Sequence, residues 1–289
     1  MAASRAADAS EPAAAAAAAA ADMAPLEDAE LARRAALMQE PKPPMLAPPN
    51  AVMGGRYVVL VPYSGSAHAE ALFAVSDGRP FDLAERHVDA YDPVDKVRPR
   101  RLAQRWSHSQ DLTRIGPFLT SPLPVQVWRF MPDGPFATAT ALQAALDAHA
   151  ELPTTRAYTV LDAGTGHPVG FVTAMAHQPQ HLKVELGYIW FGPIVQGTMC
   201  ATEAIYLLLR FCFDSVGYRR VEWKCDAANA RSRRAADRLG FAFEGVQAWH
   251  MVVKGRNRDT AWYRMLRPEW PSIRRRLEIT LQWKEPHGM

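Results

Sequence analysis

From Arg56 onward the apolar positions of this chain fall into short alternating runs and longer helical stripes, separated by glycine and proline. Residues 57–61 form a β-branched run that predicts a strand, and residues 66–75 predict a helix. Residues 137–150 are rich in alanine and leucine and predict a second helix. Residues 156–161 and 169–175 flank the turn Asp162-Ala163-Gly164-Thr165-Gly166 and predict a β-hairpin. Residues 184–191 are aromatic and β-branched, which predicts a buried strand, and Gly192-Pro193 stops it. The run from Thr202 to Arg210 has no glycine or proline and is apolar nearly all round. It predicts a helix buried against a sheet and ending at Gly217. Residues 219–226 alternate Val221, Trp223 and Cys225 as a strand does, and residues 232–239 predict a basic helix stopped by Gly240. Residues 241–253 and 259–266 predict a closing hairpin around Lys254-Gly255-Arg256-Asn257, followed by a terminal helix over 269–277.

Two stretches break this rhythm. Residues 1–50 hold a pure alanine run, mixed charges and a proline-rich end, with no face that could pack into a core. They are expected to be a disordered tail, since a mitochondrial transit peptide would be rich in arginine and poor in acids. Residues 77–124 hold prolines and scattered charges without periodicity and predict an irregular insert. A folded domain over 51–278 and a C-terminal tail over 279–289 complete the expected organisation. The formal net charge of +3 does not by itself imply nucleic acid, and no apolar run is long enough to span a membrane. Cys200, Cys212 and Cys225 lie in apolar surroundings without metal-ligand spacing, so no metal is expected and a reducing, cytoplasmic location is.

Four motifs then line up in order: Glu185-Leu186-Gly187-Tyr188-Ile189-Trp190, the loop and helix through Ala201-Thr202-Glu203-Ala204, the turn Asn229-Ala230-Arg231-Ser232, and Leu239-Gly240-Phe241-Ala242-Phe243-Glu244-Gly245. Together they resemble the acetyl-CoA-binding core of the GNAT N-acetyltransferases, in particular the RimJ/RimL-type ribosomal-protein N-terminal acetyltransferases. The resemblance implies a mixed α/β fold: a central, mostly antiparallel twisted sheet flanked by helices and splayed in the middle at the cofactor site. It implies acetyl-CoA as co-substrate and, as acceptor, an amine on a protein N-terminus or a small molecule.

Site residues follow from the same likeness. The cofactor's peptide-like arm would lie along Tyr188, Ile189 and Trp190. Its pyrophosphate would sit on the backbone N–H groups of Gln196, Gly197, Thr198, Met199, Cys200 and Ala201, where a strand–loop–helix junction gathers free donors and a helix dipole. The loop keeps the family's Gln at 196 and small residue at 201 but has Met199 where the family has glycine. Asn229 would contact the cofactor arm, and Ser232 would protonate the departing thiolate; either side chain also suits a helix N-cap. Relatives with a tyrosine in this helix would place it at 236, which here is alanine. For the base, Glu185 and His250 are candidates, with a water relay as a third route. Cys200 at a helix start has a functional reading as an activated thiol and a plainer one as a small loop residue. Two competing readings remain: a catalytically silent GNAT fold that binds CoA or a partner, and a basic RNA- or ribosome-associating protein. A monomer or homodimer is expected, with neither membrane nor nucleic acid as partner.

Overall fold

The computed structural model describes residues 51–76 and 127–283. The expectations for 1–50 and 77–124 lie outside them, as does the 284–289 part of the expected C-terminal tail, whose first residues instead continue the last helix to Leu281. Eight strands form one sheet: β1 (Met53–Gly54), β2 (Val58–Pro62), β3 (Arg156–Asp162), β4 (Pro168–Gln178), β5 (Lys183–Phe191), β6 (Arg220–Asp226), β7 (Ala242–Val253) and β8 (Arg256–Leu266). Their order is β1-β2-β3-β4-β5-β6-β8-β7, antiparallel throughout except for the β5–β6 pair. Among the described residues five α-helices accompany them: α1 (Gly65–Ser76), α2 (Ala139–Ala150), α3 (Met199–Arg210), α4 (Ala230–Leu239) and α5 (Trp270–Leu281). This is the mixed, mostly antiparallel architecture expected from the sequence.

The helix stops behave as their residues demand. α3 continues as a π-helical turn over Phe211–Val216 and ends at Gly217, whose φ of 82° is left-handed and open to glycine without steric cost. The terminal helix runs past the predicted end to Leu281, because that side chain is fully buried in the main core.

Two cores sandwich the sheet. On one face Val184, Leu186, Val221, Trp223, Ala261 and Tyr263 pack under α3, α4 and α5. On the other, Phe171, Tyr188 and Trp190 pack with α1 and α2 through Leu72, Leu142 and Leu146. Strict alternation would put 184, 186, 188 and 190 on one face. A β-bulge prevents this. Phe171 pairs with Trp190 and Thr173 with Gly187, so β5 spends one residue more than β4 across this step, and Tyr188 takes φ 44°. Tyr188 and Trp190 are therefore turned to the face opposite Val184 and Leu186, where Glu185 also lies. Gly187 is needed here, since a Cβ would run into the Met175 sulfur and approach Glu185 Oε1 to 3.2 Å.

Candidate active site

Pairing between β5 and β6 runs from Lys183↔Arg220 to Leu186↔Trp223 and stops there. Beyond that point β5 continues to Phe191 and β6 to Asp226 unpaired with each other, leaving a V-shaped opening in mid-sheet. A cleft of about 320 Å³ occupies it. One end is apolar, walled by Phe130, Met131, Ile189 and Trp190; the other is cationic, walled by Arg231, Arg234 and Arg238 of α4.

At the cationic end lies the first turn of α3. Gly197 has φ 73° and nothing near the position of a Cβ, so the turn needs glycine for its backbone angle. Thr198 occupies the N-cap position but does not cap: its hydroxyl donates to Val195 O at 2.7 Å, and no side chain bonds the helix's leading N–H groups. These donors have no side-chain acceptor among the described residues, and Gly197 and Ala201 on either side of them line the cleft, a local fit for phosphate. Gln196 Nε2 donates to Phe191 O at 2.8 Å and fastens the loop to the end of β5. At the apolar end, Trp190 is 3 % exposed, and its buried indole N–H has no partner among the described residues.

Glu203 sets where that first turn sits. The side chain is fully buried, and its carboxylate accepts from three successive backbone N–H groups at the start of β2: Arg56 at 2.9 Å, Tyr57 at 2.6 Å and Val58 at 2.9 Å. Gly55 completes the contact, because a Cβ there would collide with the same carboxylate.

Asn229 caps α4, its Oδ1 accepting from Ser232 N at 3.1 Å. Ser232 Oγ in turn accepts from Trp223 Nε1 at 3.1 Å. The same hydroxyl also hydrogen-bonds the Cys225 thiol group, which gives its proton a resting partner in the chain. Asn229, Ser232 and Trp223 all line the cleft.

The far face of the sheet carries the other polar candidates. Lys224 Nζ donates to Glu185 Oε2 at 2.8 Å, lies 3.1 Å from Glu222 Oε2, and sits 4.1 Å from the Trp262 ring centroid. Burial pushes the Glu185 carboxyl above its ordinary range, and Lys224 pulls it partly back. His250 shares a 2.8 Å hydrogen bond between Nδ1 and Thr260 Oγ1, with its ring 5.8 Å from Trp262. Glu185, Lys224, Trp262 and His250 thus form one row across β5, β6, β8 and β7, beginning at the apex of the V.

Of the residues singled out in the sequence, Ile189, Trp190, Gln196, Gly197, Ala201, Asn229 and Ser232 meet in the cleft. Glu185 and His250 lie on the opposite face of the sheet from Ser232's helix. Tyr188 is turned into the second core, where its hydroxyl donates to Asp133 Oδ2 at 2.9 Å; that same oxygen lies 3.1 Å from His149 Nε2. Thr198 serves the loop. Met199 leaves its side chain 42 % exposed, outside the cleft lining. Cys200 is packed in the main core, and burial pushes its thiol up to about 11, the wrong direction for an activated nucleophile. Sequence reading passed over Lys224 and Trp262, whose strand positions alone do not tell which face they take.

Three comparisons bear on this geometry. An acetyltransferase (GNAT) domain family matches residues 101–242. A GCN5-related N-acetyltransferase from Brucella melitensis superposes with a TM-score of 0.65 at 31% identity, over 84% of this chain and 90% of that one. The chain belongs to the GNAT acetyltransferase family. A further GNAT structure, titled "probable acetyltransferases (GNAT family)" from Chromobacterium violaceum, matches with a TM-score of 0.59 at 30% identity, over 80% of this chain and 98% of that one. A curated relative, "Putative ribosomal N-acetyltransferase YdaF" of Bacillus subtilis, is 31% identical over 88 residues, 30% of this chain and 48% of the relative. The chain thus matches about half the length of that protein. The splayed β5–β6 pair, the cradle at α3 and the capped turn of α4 are the parts of this GNAT fold that build the cleft.

Proposed function

We propose that residues 51–278 act as one GNAT domain that transfers an acetyl group from acetyl-CoA to an amine, either a protein N-terminus or a small molecule. The observation that carries this reading is the through-sheet opening at Leu186–Trp223, with anion-binding groups at one end and a buried carboxylate at its apex. Acetyl-CoA would bring the activated thioester; the chain supplies binding, orientation and two proton positions. The leading N–H groups of α3 and the α4 arginines would hold the phosphates. The unpaired edge of β5 beyond Leu186 would align the pantetheine arm as an added strand. Glu185, its carboxyl raised by burial, would take the amine proton from the opposite face. Ser232, aimed by Trp223, would give its proton toward the departing sulfur. Positioning two reactants in this way supplies about 7–11 kcal/mol of such a barrier.

Acetyl-CoA at ~100 times its dissociation constant is expected to stabilise the fold by about 2.7 kcal/mol. The melting temperature with and without acetyl-CoA measures this, and an amine panel followed by free-thiol release measures transfer. A melting temperature unmoved by millimolar acetyl-CoA removes the reading. Ala236 motivates the alternative of a silent CoA-binding fold, since it offers no hydroxyl where relatives carry tyrosine. Stabilisation by acetyl-CoA without thiol release under any amine would favour that alternative.

Ser232→Ala separates two roles in one experiment. Loss of a proton donor lowers turnover by roughly 10²–10⁴-fold. The α4 cap should survive the change, because it runs from Asn229 Oδ1 to the Ser232 backbone N–H. Turnover is therefore expected to fall while the denaturant midpoint moves little. Unchanged turnover would hand the proton step to water.

A further inference from the structure

The geometry points to an acceptor amine that also carries a carboxylate, gripped by Arg258 with the Trp262 indole N–H as a second donor. This rests on the acetyl-transfer reading above. β8 is regular from Arg256 to Leu266, so Arg258, Thr260 and Trp262 project on one face, the face of Glu185, Lys224 and His250. Arg258 Nε and Trp262 Nε1 are both closed off from solvent and have no hydrogen-bond partner among the described residues. Four other cations on this face are engaged: Lys183 with Glu222, Lys224 with Glu185 and Glu222, Arg220 with Glu222 and Glu244, and Arg264 with Glu269. Among the described residues Arg258 forms no ion pair, although its charge acts on the Glu185 carboxyl.

Buried donors are almost always satisfied, and a half-buried guanidinium without a carboxylate is costly to hold. Two donors left unsatisfied among the described residues, on the sheet face of the candidate base, point to an acceptor that arrives with the substrate, the Arg258 side chain turning outward to meet it. A carboxylate matches best, because the guanidinium fork can bind both of its oxygens. Position agrees. The Lys224↔Trp262 row adjoins the apex, whereas Arg258 lies past the Asp226↔Thr260 row at the open end of the V. A substrate amine at Glu185 would thus place a carboxylate outward, along the face of β8. That group could be the α-carboxylate of a free amino acid or an acidic side chain at a peptide N-terminus.

The test compares matched acceptors with the full chain and saturating acetyl-CoA: free amino acids against their amides, and peptides beginning Ser-Glu against peptides beginning Ser-Gln. The carboxylate member of at least one pair type is expected to have about 10- to 100-fold higher kcat/KM, the range of a hydrogen bond to a charged group. The pair type showing the preference identifies the source. Arg258→Gln should bring that ratio to about one, and Arg258→Lys should recover part of it. Equal rates for both members in the unaltered protein overturn the inference. So does an Arg258→Gln variant that keeps the preference, or one that binds acetyl-CoA more weakly by calorimetry, which would make Arg258 a cofactor residue. Absence of thiol release with every amine removes the acetyl-transfer reading and this inference with it; equal acetylation of both members removes this inference alone.

Discussion

Glu185→Gln is expected to lower turnover by about 10²–10⁴-fold while leaving the protein folded. The carboxyl is 13 % exposed at the side chain and bonded to Lys224, and burial holds its pKa above the ordinary value of 4.5. A base must be ionised, so turnover should rise with pH through this raised pKa, on a limb that Glu185→Gln abolishes. The stability consequence has the opposite sign. A carboxyl whose folded pKa is raised favours folding below its unfolded pKa and costs stability as pH climbs through the folded value. Glu185→Gln is therefore expected to be neutral or mildly stabilising at pH 7, with Lys224 still held by Glu222 at 3.1 Å. Lys224→Met gives a second sign to check. Lys224 pulls the Glu185 pKa down, so its removal should move the limb to higher pH. Steady-state rates across pH, with melting curves on the same samples, measure all of this. If Glu185→Gln keeps both rate and limb while His250→Gln loses them, the base is His250.

Glu203→Ala should be the most damaging change to the fold, costing about 3 kcal/mol or more, because three backbone N–H groups lose their acceptor together. Gly55→Ala should act in the same direction by pushing a methyl group against that carboxylate. Since Glu203 lies in the first turns of α3, a milder Glu203→Gln should also weaken acetyl-CoA binding by letting the cradle shift. Denaturant midpoints and calorimetric acetyl-CoA affinity read the two effects separately. An unaltered midpoint in Glu203→Ala would show that the three N–H groups find water instead.

The sequence by itself determined much of this protein. Apolar period and glycine or proline stops located the β3–β4 hairpin, the buried run of α3, the basic helix α4 and the long β7–β8 hairpin, because these signals are local: a chain that cannot continue a helix past Gly217 or Gly240 says so at that residue. The ordered motifs from Glu185 to Gly245 named the family, and Asn229 and Ser232 could be read as the opening of a helix from side-chain chemistry alone. What only the tertiary structure decided depends on partners far along the chain. The face taken by Glu185 was open in the sequence, since a one-residue bulge against β4 inverts the alternation that Tyr188 and Trp190 suggest. Glu203 reads as an ordinary polar residue of a helix until the backbone of Arg56, 147 positions away, is brought to its carboxylate. The pairing of Ser232 with Trp223, and the lack of an ion pair for Arg258 among the described residues, likewise emerge only when β6 and β8 are in register. Period and propensity act over a few residues, whereas register, burial and the loss of water around a charge are set by the whole sheet.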